Sequence, residues 1–180
     1  MAEVILITGG ARSGKSAAAL WLAESYGPRI FIATAEVFDD EMSERIARHQ
    51  AERGDGWRTI EAPRDLAAAI GSVTDPQAAI VIDCLTVWLG NLMHYDEATT
   101  VDSPACAALL EALRRSSAAR IILVTNEVGM GIVPEYPLAR RFRDVAGRLN
   151  QRIAAVADRV ILAVCGQLLT IKPSRMECEP

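Results

Sequence analysis

Five stretches of the chain are nearly unbroken apolar runs rich in β-branched residues: VILIT from Val4, IFIAT from Ile30, AIVIDCL from Ala79, RIILVTN from Arg120 and RVILAV from Arg159. A strand with one wet face alternates polar and apolar positions, whereas a continuous run is the pattern of a strand covered on both faces, as in a parallel sheet. Helical spacing separates the runs. After Pro137, the positions Leu138, Phe142, Val145, Leu149, Ile153 and Val156 recur in steps of three or four, while Arg141, Arg148, Asn150 and Arg152 fall on other faces. SPACAALLEALRR, with Pro104 near its first turn, reads the same way. In DDEMSERIARHQ, from Asp39 to Gln50, helical spacing puts Met42, Ile46 and His49 on one face and turns Glu44 and Arg48 away. CGQLLTIKP reads as a turn and a short last strand, and a polar tail follows from about residue 173. With no internal repeat, low-complexity tract or linker, the pattern predicts an α/β fold in one domain over residues 1–180, with a largely parallel sheet flanked by helices.

Composition narrows the class. The chain has 180 residues, 51% of them hydrophobic and 23% charged, enough for a substantial core. A net charge of −4 and a pI of about 5.3 argue against a partner bound by neutralising many phosphates, so no nucleic acid is expected. No apolar run approaches the ~20 residues of a membrane helix, and the start of the chain lacks the basic lead-in and cleavage pattern of a signal peptide. The expected location is the cytoplasm. Cys84, Cys106, Cys165 and Cys178 are scattered without a zinc spacing. Cys84 and Cys165 sit inside apolar strand-like runs and are expected to be small buried hydrophobes.

GGARSGKS, Gly9 to Ser16, changes the picture most. It matches GxxxxGK[ST] and lies between the strand VILIT and a helix expected to begin at Ser16. Glycines at 9 and 14 let the backbone N–H groups of Gly9, Gly10, Ala11, Arg12, Ser13 and Gly14 turn around phosphate oxygens, and the helix N-terminus adds its positive end. Lys15 reaches toward the β and γ phosphates, and the Ser16 hydroxyl is placed for Mg2+. A second metal ligand is required, and Asp83, closing AIVID, is the candidate. The alternative for Asp83 is a strand-end carboxylate capping the next turn.

A phosphate cradle leaves the reaction open. A signalling GTPase is disfavoured because no NKxD follows a strand and the one DxxG, DVAG at Asp144, falls in an expected helix. Small-molecule phosphoryl transfer remains. His49 stays either a boundary residue on a narrow apolar stripe or a functional group.

ILITGGARSGKS, IATAEVFDDEMSERIARHQ, WRTIEA and LVTNEVGMGIVPEYPLARRFRDVAGRLNQRIAAVADRV resemble, in this order and spacing, the bifunctional adenosylcobinamide kinase/adenosylcobinamide-phosphate guanylyltransferase family of cobalamin biosynthesis. The resemblance runs from about Ile5 to Lys172, and the block from Leu123 to Val160 is more diagnostic than the P-loop. It implies a RecA-like P-loop NTPase domain that assembles as a homotrimer. It further implies phosphorylation of adenosylcobinamide with ATP or GTP, then transfer of GMP from GTP to adenosylcobinamide phosphate. The products of the transfer are adenosylcobinamide-GDP and pyrophosphate.

In that family GMP passes through a covalent histidine intermediate, and the matching residue here is His49. A neutral imidazole suits the task, since it attacks phosphorus and later leaves near neutral pH. His94 lies outside the matching motifs and keeps a structural reading. Arg45 and Arg53 flank His49 by one helical turn, where either could offset phosphate charge. A solvated pair such as Glu41 with Arg45 explains the same spacing. The resemblance also implies nucleotide contacts at Ala33, Thr34 and Ala35, at a strand's carboxyl end, and at Glu61, whose carboxylate could accept both guanine N1–H and N2–H. Gly129 and Gly131 in NEVGMGIVP suit a mobile or tightly turned loop over the corrinoid. One departure stands out: many relatives carry Glu at the position of Asp83. Two other readings stay open, a P-loop kinase for a different small alcohol and a nucleotide-sensing binding protein.

Overall fold

A computed structural model describes residues 1–36, 54 and 56–173. The expected helix from Asp39 to Gln50, with Arg45 and His49, lies outside the described residues, as do Arg53 and the tail with Cys178. The elements are β1 (Glu3–Gly9), α1 (Lys15–Ala23), β2 (Arg29–Ala33), β3 (Trp57–Glu61), α2 (Leu66–Gly71), β4 (Ala79–Asp83), α3 (Leu85–Tyr95), α4 (Pro104–Arg115), β5 (Arg120–Val124), α5 (Pro137–Val156), β6 (Arg159–Val164) and β7 (Gln167–Lys172).

The strands form one seven-stranded sheet in the order β3-β2-β4-β5-β1-β6-β7. Every pairing is parallel except β6 with β7. The five apolar runs are the five interior strands, which explains why they do not alternate. One face packs on α2 to α5 through Leu66, Ile70, Trp88, Leu89, Leu109 and Leu149. The other packs on α1 through Ala18, Ala19 and Ala23, whose short side chains bring that helix close to Ile5, Ile7 and Val124.

Several elements differ from the sequence expectation. WRTIE is the edge strand β3, only partly covered, and its mixed polar composition hides it from a search for apolar runs. AIVIDCL ends as a strand at Asp83; Cys84 caps α3, a helix whose apolar residues continue the run without a break in composition. Cys165 is exposed rather than buried, in the turn joining β6 to β7, where it and Gly166 adopt φ of 50° and 75°. Two such residues are what a two-residue hairpin loop needs to follow the strand twist. On α5 the expected face is core from Val145 to Ile153, but Leu138 in the first turn is exposed.

The β6–β7 turn braces the cradle. The Gly166 N–H donates to the Ser13 carbonyl at 3.0 Å. A Cβ on Gly9 would stand 2.3 Å from the Ala163 carbonyl oxygen, a backbone atom that has nowhere to go. Gly9→Ala should therefore destabilise the protein by about 1–3 kcal/mol, lowering Tm by roughly 2–12 °C in a chain of this size. Thermal unfolding of the variant measures it; an unchanged Tm would mean that β6 yields freely.

Candidate active site

Because β1 to β5 are mutually parallel, their carboxyl ends share one edge of the sheet. The register aligns Glu61, Ala33, Asp83, Val124 and Ile7 in one row across β3, β2, β4, β5 and β1. Ile7, Val124 and Ala33 belong to the layer packed on α1, so the row faces the side on which the P-loop passes into that helix. Strands lie about 4.8 Å apart, which puts Asp83 about 10 Å and Glu61 about 19 Å from Ile7 along the edge. Asp83 is thus within reach of a group held by the cradle. Glu61, exposed at its strand end, lies too far away to touch phosphates there and can meet only the far end of a nucleotide.

The P-loop runs from Gly9 to Gly14, and α1 begins at Lys15, one residue before the expected start. Gly14 caps the helix in the left-handed region, with φ of 97°, and a Cβ there would meet Gly166 Cα at 3.2 Å. Arg12 also takes a positive φ, 55°, which costs a branched or long side chain free energy that tight loops at functional sites commonly store. Lys15 is 6% exposed. Its ammonium donates to the Gly10 carbonyl and to Ser13 Oγ, the latter at 3.4 Å. Burial pushes its pKa down, while the carboxylate of Asp83 and, less strongly, Cys84 push it back up. Asp83 and Lys15 are therefore electrostatic neighbours, although 68 positions separate them in the chain.

Structure adds partners around these motifs, among them Thr86, Arg64 and Tyr95, which no motif marked. Beside β1, the Thr125 N–H donates to the Ile7 carbonyl and the Glu127 N–H to the Gly9 carbonyl, so the start of the NEVGMGIVP loop lies along the P-loop. Thr86 and Thr125 pair through their hydroxyls at 3.3 Å, Thr125 donates to Asn150 Oδ1 at 3.0 Å, and the Asn126 N–H donates to Thr86 Oγ1 at 2.7 Å. At the other end of the row, Thr34 is fully buried, accepts from the Cys84 N–H at 2.8 Å and donates to the Cys84 carbonyl at 2.9 Å. Glu36 accepts from Tyr95 Oη at 2.9 Å and lies 3.8 Å from Arg64. Ala33, Thr34 and Ala35 thus sit together at the β2 exit, between Glu61 at the β3 exit and Asp83 at the β4 exit, and Gly9 to Ser16 lie at the other end of the row, two strands beyond Asp83. His94 is exposed near the end of α3, in an edge-on ring contact with Tyr95.

A phosphate cradle braced between β1 and α1, with an acidic strand end two strands away on the same edge, defines a P-loop nucleotide-binding α/β domain of the RecA-like kind. A secretion-system ATPase of pathogenic bacteria shares the fold, with a TM-score of 0.51 at 14% identity over 89% of this chain and 50% of its own. The E. coli ATPase EscN gives 0.52 at 13% identity over 91% of this chain and 43% of its own. Sequence comparison is more specific. Residues 5–171 match the family described as cobinamide kinase / cobinamide phosphate guanyltransferase, and the chain belongs to that family. It is 43% identical to the bifunctional adenosylcobalamin biosynthesis protein CobU of Salmonella typhimurium, over 94% of this chain and 99% of that one. Identity to the bifunctional adenosylcobalamin biosynthesis protein CobP of Pseudomonas aeruginosa is 46%, over 93% and 96%.

Proposed function

We propose that this chain carries out both reactions of its family on one sheet edge, with residues 1–180 acting as a single nucleotide-binding domain. In the first, the aminopropanol hydroxyl of adenosylcobinamide attacks the γ-phosphorus of ATP or GTP held in the cradle. The P–O bond to the nucleoside diphosphate breaks, and the hydroxyl proton is lost to solvent or a nearby base. In the second, a His49 ring nitrogen attacks the α-phosphorus of GTP and expels pyrophosphate. A phosphate oxygen of adenosylcobinamide phosphate then displaces the imidazole, giving adenosylcobinamide-GDP and the free histidine. The observation that carries this reading is the buried Lys15 set against Asp83 in the cradle of a chain matching the family from residue 5 to 171.

The roles divide along the edge. Lys15 and the N–H groups of residues 9–14 hold phosphate oxygens. Ala33, Ala35 and Glu61 serve the far, nucleoside end, where buried Thr34 holds the β2 exit in place, and Arg53 serves the phosphates near His49. A hydroxyl at Ser16 and a carboxylate at Asp83 are hard oxygen donors, the set that suits Mg2+ when substrate phosphates and water complete its shell. Bound there, the ion would supply charge stabilisation on the transferring phosphoryl group. Asp83→Asn should raise the magnesium concentration for half-maximal kinase activity on the order of tenfold with the fold intact. An unchanged magnesium dependence would move the ligand role elsewhere, first to Glu127. The family resemblance supports a homotrimer acting in the cytoplasm, on corrinoid and nucleotide substrates rather than nucleic acid. Among the described residues no helix is long and apolar enough to cross a membrane.

The decisive test is incubation with adenosylcobinamide, GTP and magnesium, followed by mass analysis of the corrinoid. A gain of phosphate plus GMP is expected. Phosphate alone would leave a kinase, and nucleotide binding with no corrinoid product would leave a sensor.

A further inference from the structure

The β2–β3 ladder makes its last bond from the Ala62 N–H to the Ala33 carbonyl, at 2.8 Å. Past it Pro63, lacking an N–H, cannot extend the pairing from its side. Asn91 of α3 fills the gap. Its side-chain amide donates to the Thr34 carbonyl at 2.7 Å and to the Pro63 carbonyl at 2.9 Å, at a position only 5% exposed. One turn earlier Trp88, fully buried, donates its indole N–H to the Arg64 carbonyl at 2.7 Å. Because α3 starts just after β4, and Thr34 also exchanges two bonds with Cys84, the exits of β2, β3 and β4 are tied to one helix.

Asparagine is a poor choice for a buried helix interior unless both of its amide hydrogens find acceptors. It is also the compact side chain with two N–H donors on one nitrogen, which is what two converging carbonyls require. Leucine would leave both carbonyls bare, and aspartate would turn an anion on them. The tie involves none of β1, α1 or β5, so losing it would shift Thr34–Glu36 against Glu61–Arg64 and spare the cradle.

We propose that Asn91 is a positioning residue that sets the separation of the β2 and β3 exits and thereby the fit of the guanine of the GMP donor. The proposal rests on the reading that these exits face the nucleoside. Directional hydrogen bonds to a base discriminate only while their partners stay in place.

The test compares Asn91→Asp and Trp88→Phe with the parent in two assays, guanylyl transfer to adenosylcobinamide phosphate and ATP-dependent phosphorylation of adenosylcobinamide. At about pH 8, Asn91→Asp should raise KM for GTP in the transfer by about tenfold, with kcat and the ATP-dependent kinase changed less than about threefold. Relative to the parent, the KM should recover toward about pH 6, because a protonated carboxyl can donate to one carbonyl again. Trp88→Phe, which keeps the packing and loses a single bond, should show a smaller change in the same direction. An unchanged KM for GTP, or equal loss of both activities at every pH, overturns the proposal. Glu61→Gln separates the two ideas. If it raises KM for GTP while Asn91→Asp does not, the nucleoside reading stands and the positioning role falls. If Asn91→Asp acts as expected and Glu61→Gln has no effect, the positioning role stands and Glu61 is not the base contact.

Discussion

Lys15→Ala is expected to lower the kinase turnover by about 10²–10³-fold, the scale on which a preorganised charge aimed at a transferring group acts. The structure shows how its charge is held in place. Lys15 is nearly buried, its ammonium held by the Gly10 carbonyl and Ser13 Oγ, and burial works against its charge while Asp83 and Cys84 support it. A charge held in this way needs little reorganisation when phosphates arrive, and water that filled an alanine-sized gap could not supply it. Stability should change far less than activity, because removing a buried ammonium relieves a desolvation cost while leaving the Gly10 carbonyl without its donor. Turnover per folded protein, with Tm measured alongside, separates the two effects. Lys15→Arg should rescue poorly, since the planar guanidinium fork does not fit a cradle shaped around a point charge. Kinase turnover of Lys15→Ala within a few-fold of the parent would remove the P-loop from the phosphorylation step.

Much of the fold was readable in the chain for one physical reason: a parallel sheet covered on both faces writes its interior strands as unbroken apolar runs. The same reason hid β3. Half covered at the sheet edge, Trp57–Glu61 has no need of continuous apolarity and looks like a loop with one tryptophan. Cys84 and Leu85 read as part of a strand because composition does not change where the backbone turns from β4 into α3. The cradle was legible because its chemistry is local, eight residues between a strand and a helix. The Asn91 tie was not, since its acceptors are backbone carbonyls 57 and 28 positions away, and carbonyls carry no sequence signature. Its only trace is an amide inside a helix whose neighbours Trp88, Leu89 and Met93 are buried. The alignment of Glu61, Ala33 and Asp83 in one row likewise depends on strand order and register, which single-strand patterns do not encode.

Protein incubated with α-labelled GTP and magnesium should acquire GMP through a phosphorus–nitrogen bond to His49, and His49→Ala should acquire none. The bond type is diagnostic: acid hydrolyses a phosphoramidate readily while mild alkali leaves it intact, and an ester to serine or threonine shows no such acid lability. His49→Ala should also make no adenosylcobinamide-GDP, because the transfer loses the nucleophile that divides it into two displacements. It should still phosphorylate adenosylcobinamide, since the cradle of residues 9–14 with Lys15 is built by β1, α1 and the β6–β7 turn, none of which carries His49. The split between the two activities is therefore the signature, and loss of both would instead indicate a damaged domain. His94→Ala is the control. That side chain is exposed on α3 against Tyr95, away from the matching motifs, and its variant should label like the parent. If folded His49→Ala still labels to the parent extent, the nucleophile is another residue, and DDEMSERIARHQ reverts to an amphipathic segment whose histidine borders an apolar stripe.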